Sequence, residues 1–239
     1  MRTPVLVMVA GLGICLGFPA TAQTHDEIGM YCRSPHPEIR LAACSVIIEG
    51  GWAMGAALAD AFSSRGTAYS ITGDPDRAIQ DFDHAIMLDP NRTLLFSFRG
   101  AAHLDRGEYD PAIADFTRSV ELDPDHVDAF YGRAGAYRVK GDNDRAIADY
   151  SHVLEVDPDY LGALAYRGLS YQAKDDLPHA IQDFDQLIRL SPSSAQAFDL
   201  RGAAYLLEGE LDRAKADFSQ AARLNPGDET ATRELSRLR

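Results

Sequence analysis

Arginine and aspartate recur at one fixed interval along most of the sequence. Each of five arginines lies 34 residues from the next, and five aspartates follow the same interval. A row of guanidinium groups could bind an anionic ligand, whereas an arginine facing an aspartate could form an ion pair between two helices. Because the two counts match row for row, we favour ion pairs, which contribute about 0–1 kcal/mol each where they are exposed. These residues are Arg65, Arg99, Arg133, Arg167, Arg201, Asp81, Asp115, Asp149, Asp183 and Asp217.

The remaining polar side chains form no pattern that is typical of catalysis or metal binding. The seven histidines have neither the i, i+4 spacing nor the cysteine partners of a zinc site. Asp123, Asp125 and Asp128 lack the glycine and the terminal glutamate of a calcium loop. The sequence contains no phosphate-binding glycine loop, nucleophile elbow or HExxH motif. We therefore expect no catalytic residues, no metal and no cofactor.

The composition is ordinary for a folded protein but strongly acidic. The 239 residues are 46% hydrophobic and 25% charged, with a formal net charge of −13. A surface of this charge repels nucleic-acid phosphates and anionic lipid headgroups. Nucleic acid is therefore not an expected partner.

The N-terminus has the layout of a secretory signal. One charge, at Arg2, precedes an apolar stretch over residues 4–18, and small residues stand at Ala20 and Ala22. This layout predicts cleavage after Ala22, which places the mature protein in the periplasm or outside the cell, with no membrane insertion afterwards. An uncleaved membrane anchor and lipid attachment at Cys15 are the alternatives.

Two cysteines, Cys32 and Cys44, remain after such a cleavage. An even pair in an exported protein favours a disulfide. The loop that it closes is short, so we expect about 2–3 kcal/mol of stabilisation. Two buried free thiols are the alternative.

The 34-residue interval extends to apolar and small residues. Five rows share a small residue in one column, an alanine in a second, an aromatic residue in a third and a proline in a fourth. Agreement across so many columns indicates an internal repeat. The four columns are Gly66, Gly100, Ala134, Gly168 and Gly202; Ala78, Ala112, Ala146, Ala180 and Ala214; Phe82, Phe116, Tyr150, Phe184 and Phe218; and Pro90, Pro124, Pro158, Pro192 and Pro226.

Each row predicts two helices joined by a tight turn. In the first row, Phe62, Gly66 and Tyr69 follow the helical period, and the turn residues 72–75 separate them from a second periodic segment. The small residues let the two helices approach closely, and the aromatic column fills the space that they leave. The proline column ends the second helix.

These columns resemble the tetratricopeptide repeat, and the resemblance covers residues 59–228. It implies an all-α fold: a right-handed α-solenoid of five helix-turn-helix repeats with a concave groove. A degenerate hairpin stapled by Cys32 and Cys44 precedes the rows, and a capping helix follows them. The predicted boundaries are 1–22 for the signal peptide, 23–58 for the hairpin, 59–92, 93–126, 127–160, 161–194 and 195–228 for the rows, and 229–239 for the capping helix.

The resemblance also places ten residues in the groove, where they are candidates for binding a partner. The asparagine and the basic clamp by which some family members bind a peptide are missing, so we expect a mixed apolar surface centred on Tyr131 and Leu169. The alternative is that these side chains only pack against neighbouring helices. The ten residues are Ser63, Leu94, Ser97, Leu104, Tyr131, Arg138, Leu169, Gln172, Asp199 and Leu206.

Three functions are compatible with this sequence. Because the repeat occupies almost the whole chain, we favour an exported scaffold that binds a protein or peptide partner and is not an enzyme. A structural subunit of a cell-envelope or secretion assembly is the second hypothesis. A hydrolase or small-molecule binder would need titratable residues that face the groove, and the sequence places few there.

Overall fold

The computed structural model describes residues 24–238, and within this range it contains thirteen helices and no strand. The predicted signal peptide and Arg239 lie outside the described residues. No helix in the described range is long and apolar enough to cross a bilayer. The helices are α1 His25–Tyr31, α2 Pro37–Gly50, α3 Gly55–Ile71, α4 Pro75–Leu88, α5 Thr93–Asp105, α6 Tyr109–Leu122, α7 Val127–Val139, α8 Asn143–Val156, α9 Leu161–Ala173, α10 Leu177–Leu190, α11 Ala195–Glu208, α12 Leu211–Leu224 and α13 Glu229–Arg237.

The helices pack in consecutive pairs, as the all-α prediction requires. The chain divides into two compact units, one that ends at Asp125 and one that begins at His126. The first unit holds the hairpins α1–α2, α3–α4 and α5–α6, and the second holds α7–α8, α9–α10 and α11–α12, followed by α13. Within a unit, the first helix of a hairpin also packs against the second helix of the hairpin before it.

A residue with positive φ ends the turn within each row. Glycine occupies this position in four rows, with φ between 75° and 85° at Gly73, Gly107, Gly141 and Gly209. In the fourth row Asp175 takes the same left-handed conformation, with a φ of 63°. Aspartate is one of the few residues other than glycine that tolerates this region, so the turn is kept although the glycine is missing.

The alanine and aromatic columns form the core between the paired helices. All five alanines of the alanine column are 0% exposed, and Phe82, Phe184 and Phe218 are at most 1% exposed. A Cβ atom at Gly168 would lie 2.5 Å from Cε1 of Phe184, so no larger residue fits beneath that ring. The small column therefore sets how closely the helices of a pair approach.

The N-terminal hairpin has a small core of its own. Cys32 and Cys44 form the predicted disulfide, with 4.8 Å between their Cα atoms. Both cysteines are buried in a cluster with Ile47, and the partly buried Trp52 packs against it. The disulfide thus holds α1, which is only seven residues long, against α2.

At each end of the array the outermost row adjoins another element. The first helix of row one begins at Gly55, whereas the row itself is predicted from Ala59, and Leu58 of this helix packs against the N-terminal core. At the other end Asp228 accepts hydrogen bonds from the backbone N–H groups of Thr230 and Ala231 and thereby caps α13.

Candidate partner-binding surface

The repeated arginines and aspartates form one ion pair in each row. Every arginine lies on a first helix and donates from Nε and Nη2 to the two carboxylate oxygens of the aspartate on the second helix, over 2.6–2.9 Å. The aspartate side chains are only 5–10% exposed. The value for exposed pairs therefore does not apply here. Removing one partner leaves a buried charge unpaired, at a cost of about 3–5 kcal/mol.

Arginines of this column also bind the preceding hairpin. The Nη1 group of Arg99 donates to Asp83 over 2.5 Å, and that of Arg201 donates to Asp185 over 2.6 Å. Arg167 reaches Ser151 Oγ at 3.1 Å in the same way. Arg65 makes the equivalent 3.1 Å contact with Ser45 Oγ, which ties the N-terminal hairpin to row one. Sequence reasoning missed this second contact, although a polar residue two positions after the aspartate column is visible in these rows.

The groove candidates of the first unit differ in their accessibility. Ser63 and Ser97 are each 7% exposed, and Ser97 Oγ lies 2.7 Å from Ser119 Oγ inside the core. Leu104 is half-buried, whereas Leu94 is 43% exposed. Of these four candidates, Leu94 is the one that offers most of its side chain to a partner.

In the second unit, Tyr131 lies within a cluster of aromatic rings. Its ring centroid is 5.0 Å from that of Tyr160 and 6.3 Å from that of Tyr166. A Cβ atom at Gly162 would lie 2.6 Å from the Tyr131 hydroxyl oxygen. The glycine on α9 therefore leaves space for the Tyr131 side chain, which comes from α7. Burial raises the pKa of Tyr131 to about 12, and the hydroxyl therefore stays protonated.

Arg138 extends the tyrosine cluster along α7. Its guanidinium carbon lies 4.7 Å from the centroid of the Tyr166 ring, a cation–π distance. Tyr166 is 37% exposed, so one part of the ring remains open to solvent. Two candidates from neighbouring helices are half-buried in the core, Leu169 on α9 and Leu206 on α11.

Three of the candidates carry a buried polar atom that has no hydrogen-bond partner. These atoms are Arg138 Nε on α7, Gln172 Oε1 on α9 and Asp199 Oδ1 on α11. Burial and the neighbouring Asp228 raise the pKa of Asp199 to about 7. Each of the first helices α7, α9 and α11 therefore carries a buried polar atom without a hydrogen-bond partner. Folded proteins usually avoid this arrangement.

Within residues 24–238, no three side chains of the metal-binding types lie close enough together to hold a metal ion. The arginines and aspartates of the repeated columns pair with each other, and the tyrosines of the cluster contact one another. What this surface offers is aromatic area, apolar area and unpaired hydrogen-bonding groups.

Comparison with known proteins identifies the repeat. Profiles described as "Tetratricopeptide repeat" match residues 59–92, 99–160 and 167–229. The chain belongs to the tetratricopeptide repeat family. No curated protein matches it over its length.

Solved tetratricopeptide structures share the fold. The crystal structure of MamA is 25% identical, with a TM-score of 0.65, and the match covers 67% of this chain and 94% of MamA. MamA from Desulfovibrio magneticus RS-1, solved from residue 41 to its end, is 19% identical, with a TM-score of 0.70 over 74% and 99% of the two chains. YrrB, described as a TPR protein with an unusual peptide-binding site, is 18% identical, with a TM-score of 0.69 over 82% and 99%.

Tetratricopeptide repeat proteins bind protein or peptide partners, and the fold is generally an interaction scaffold. In the present chain the first helices α7, α9 and α11 carry the candidate surface of the second unit. We call the side of these helices that bears Tyr131, Arg138, Gln172, Asp199 and Leu206 the first-helix face.

Proposed function

We propose that this protein is an exported, non-enzymatic scaffold that binds a segment of a partner protein on the first-helix face of its second unit. The observation that carries the proposal is the set of unpaired polar atoms on α7, α9 and α11. A buried donor or acceptor without a partner costs about 1–3 kcal/mol, and a bound chain that supplies the missing hydrogen bond recovers this energy.

A polypeptide main chain suits these three groups. Arg138 Nε is a donor and needs a carbonyl, whereas Gln172 Oε1 is an acceptor and needs an N–H group. A main chain supplies both kinds of group at every residue. Both long side chains must rotate so that a segment lying across the helices can reach these atoms.

Tyr131 and Tyr166 supply apolar contact area beside the polar groups. Tyrosine and arginine are enriched among the residues that contribute most to binding energy in protein interfaces. Tyr131 is already held by Gly162 and Tyr160, so it loses little side-chain entropy when a partner binds. A preorganised aromatic patch of this kind is an efficient anchor for an apolar side chain.

Two sequence features support export. The N-terminus carries the charge, apolar stretch and small residues of a cleavable signal, and the cysteine pair Cys32–Cys44 forms a disulfide. Disulfides persist in the periplasm and outside the cell and are rare in reducing compartments. Residues 1–22 would direct the chain to such a compartment, and cleavage would then release the repeat array there without the signal peptide.

Site-specific crosslinking tests the binding surface. We expect a photoreactive residue at Tyr131 to crosslink one partner in an envelope extract, and mass spectrometry then gives the partner segment. The matched control carries the same residue at Lys215, which is exposed on the second helix α12. Equal crosslinking from both positions would contradict a site on the first-helix face.

A double variant tests the polar groups directly. We expect Arg138→Ala with Gln172→Ala to weaken binding of the crosslinked segment at least tenfold, because both hydrogen bonds to its main chain are lost. The control, Arg145→Ala, removes an exposed ion pair with Asp142 at the turn and should leave binding unchanged. Unaltered affinity of the double variant would exclude the proposed mode.

A structural subunit of a cell-envelope assembly is the second candidate. The small, preorganised patch is more typical of reversible binding than of a permanent interface, which buries a larger and more apolar area. Pull-down in high salt separates the two roles, since a permanent subunit stays bound and a reversible partner is released in proportion to its dissociation rate.

A further inference from the structure

A cleft of about 310 Å³ opens in the second unit, and its lining includes none of the residues that define the first-helix face. It lies among α8, α9 and α10. Its floor is apolar, and its walls carry arginine and amide groups. The residues that line it include Leu154, Pro158, Leu164, Arg167, Gln186 and Arg189.

The cleft lies beside two small side chains, Ser151 of row three and Leu164 of row four. Leu164 stands in a column that is phenylalanine in every other row. Ser151, in row three, stands in a column that is aspartate in rows one and four, threonine in row two and serine in row five. A ring and a carboxylate are therefore both missing beside Arg167. The phenylalanines are Phe62, Phe96, Phe130 and Phe198, and the aspartates are Asp83 and Asp185.

Arg167 contacts fewer carboxylates than Arg99 and Arg201 do, and it lacks the phenylalanine contact of the other column arginines. Arg99 and Arg201 each contact two carboxylates, whereas the second contact of Arg167 is the neutral Ser151 Oγ at 3.1 Å. The other four arginines of the column also lie 5.3–5.8 Å from the centroid of a phenylalanine ring. Arg167 retains one ring contact, with Tyr171 at 6.0 Å.

The remaining charges around the cleft do not fill this gap. Asp183 already accepts two hydrogen bonds from Arg167 and is 5% exposed. Glu155 also lines the cleft, but its side chain is 77% exposed, and its Oε2 atom lies 3.9 Å from Nδ1 of His152. The exposed Arg189 donates to Gln186 Oε1 over 3.0 Å and adds a second cation.

We propose that this cleft binds a carboxylate attached to an aromatic or similarly bulky apolar group. The apolar body occupies the space above Leu154, Pro158 and Leu164, where other rows place a phenylalanine. The carboxylate accepts hydrogen bonds from the Nη1 group of Arg167, in place of the absent aspartate. Two sources offer this chemistry: a free arylalkanoic acid, and a partner chain that ends in an aromatic residue. The site is separate from the first-helix face and does not depend on its partner.

Titration with small probes tests the site on the whole protein. The probes are 3-phenylpropionate and N-acetylglycyl-phenylalanine, each with a free carboxylate, and their controls are the corresponding amides. We expect the Arg167 Nε–Hε and Gln186 side-chain amide resonances to shift with a Kd of about 1 mM, as befits a ligand of this size. The amides should bind at least tenfold more weakly, because they lack the charge. Tighter binding of the dipeptide than of the free acid points to a chain terminus as the natural source, and the reverse order points to a small acid.

The other rows supply the decisive variants. Ser151→Asp with Leu164→Phe gives the joint between rows three and four the side chains found between rows four and five, and we expect it to fold and to lose probe binding. The converse pair, Asp185→Ser with Phe198→Leu, should open a second cleft, at which the Arg201 Nε–Hε resonance responds to the same probes. Circular dichroism checks that each variant is folded. Absence of binding to the unaltered protein, equal binding of acids and amides, or undiminished binding to the filled variant would overturn the proposal.

Discussion

At the scale of single residues, the close packing of Gly168 against the ring of Phe184 restricts which side chain can stand at position 168. A Cβ atom at Gly168 would lie 2.5 Å from Phe184, which is 0% exposed and has no room to move. We expect Gly168→Ala to lower the free energy of unfolding by about 1–3 kcal/mol, through overpacking. Urea denaturation followed by circular dichroism measures this change.

Gly135 provides the matched control for that substitution. It also lies within a first helix, but a Cβ atom there would meet its nearest neighbour, the Tyr150 hydroxyl, at 3.8 Å. Gly135→Ala should therefore leave stability unchanged or raise it by about 0.5–1 kcal/mol, because alanine favours the helix. A similar loss of stability in both variants would show that close contact with the aromatic ring is not the reason for a small residue at position 168.

Asp199 makes the stability of the second unit depend on pH. Its pKa rises from the ordinary value of 3.8 to about 7 because the carboxyl is buried and lies beside Asp228. The folded protein therefore binds a proton that the unfolded chain releases between these two values. This contribution to stability is fully present below pH 4 and is lost as the pH rises through 7.

Asp199→Asn isolates the effect of this group. Asparagine stays neutral, so the variant should unfold at a higher temperature than the original protein above pH 7, and the difference should shrink towards pH 4. Thermal unfolding curves between pH 4 and pH 8 measure this. Two curves that run parallel across that range would mean that Asp199 keeps its ordinary pKa.

At the scale of elements, the N-terminal hairpin depends on its disulfide. The helix α1 has seven residues, and the Cys32–Cys44 bond fixes it to α2 beside Trp52. Reduction should cost about 2–3 kcal/mol locally. Because Trp52 is the sole tryptophan, its emission should shift to longer wavelength on reduction, while the helical signal of the rows changes little.

A cysteine-free protein is the control for the reduction experiment. The Cys32→Ser, Cys44→Ser variant should show the shifted emission from the outset and no response to reductant. An emission spectrum that reductant leaves unchanged in the original protein would mean that the hairpin core holds α1 without the covalent bond.

The helices and turns could be predicted from the sequence because each is set by a few local residues. The helical period, the turn residues and the proline column give the boundaries of α4 to α12 to within a few residues. The start of α3 at Gly55 was not predictable in this way, because it depends on Leu58 packing against a neighbouring hairpin. Asp175 could be placed in a turn, but its left-handed φ needed the structure.

The candidate site was less accessible to sequence reasoning. The column position of Ser97 suggests an open groove residue, yet its hydroxyl pairs with Ser119 in the core. The unpaired atoms of Gln172 and Asp199 depend on rotamers and on burial by other helices, which no spacing rule contains. The cleft at Arg167 lies beside two small residues from different helices, which come together only after folding.

Export is a prediction at the scale of the whole molecule. We expect the protein recovered from the producing cell's envelope or medium to begin at Gln23, because signal peptidase reads the small residues Ala20 and Ala22. Intact-mass spectrometry gives the mature terminus. Ala20→Asp should block the cleavage, whereas Cys15→Ser should have no effect; a Cys15-dependent, lipid-bearing mass would instead identify a lipoprotein.

The double contact of Arg99 and Arg201 has a consequence for how such a chain can lengthen. Arg201 binds Asp217 of its own hairpin and Asp185 of the one before, and Arg99 uses Asp115 and Asp83 in the same way. At these two joints, one 34-residue copy therefore supplies the donor and the copy before it supplies the acceptor. A tandem duplication of such a gene segment would therefore produce a copy that can form these ion pairs with its neighbours at once. The array could gain or lose whole repeats without new substitutions at the positions of the ion pairs.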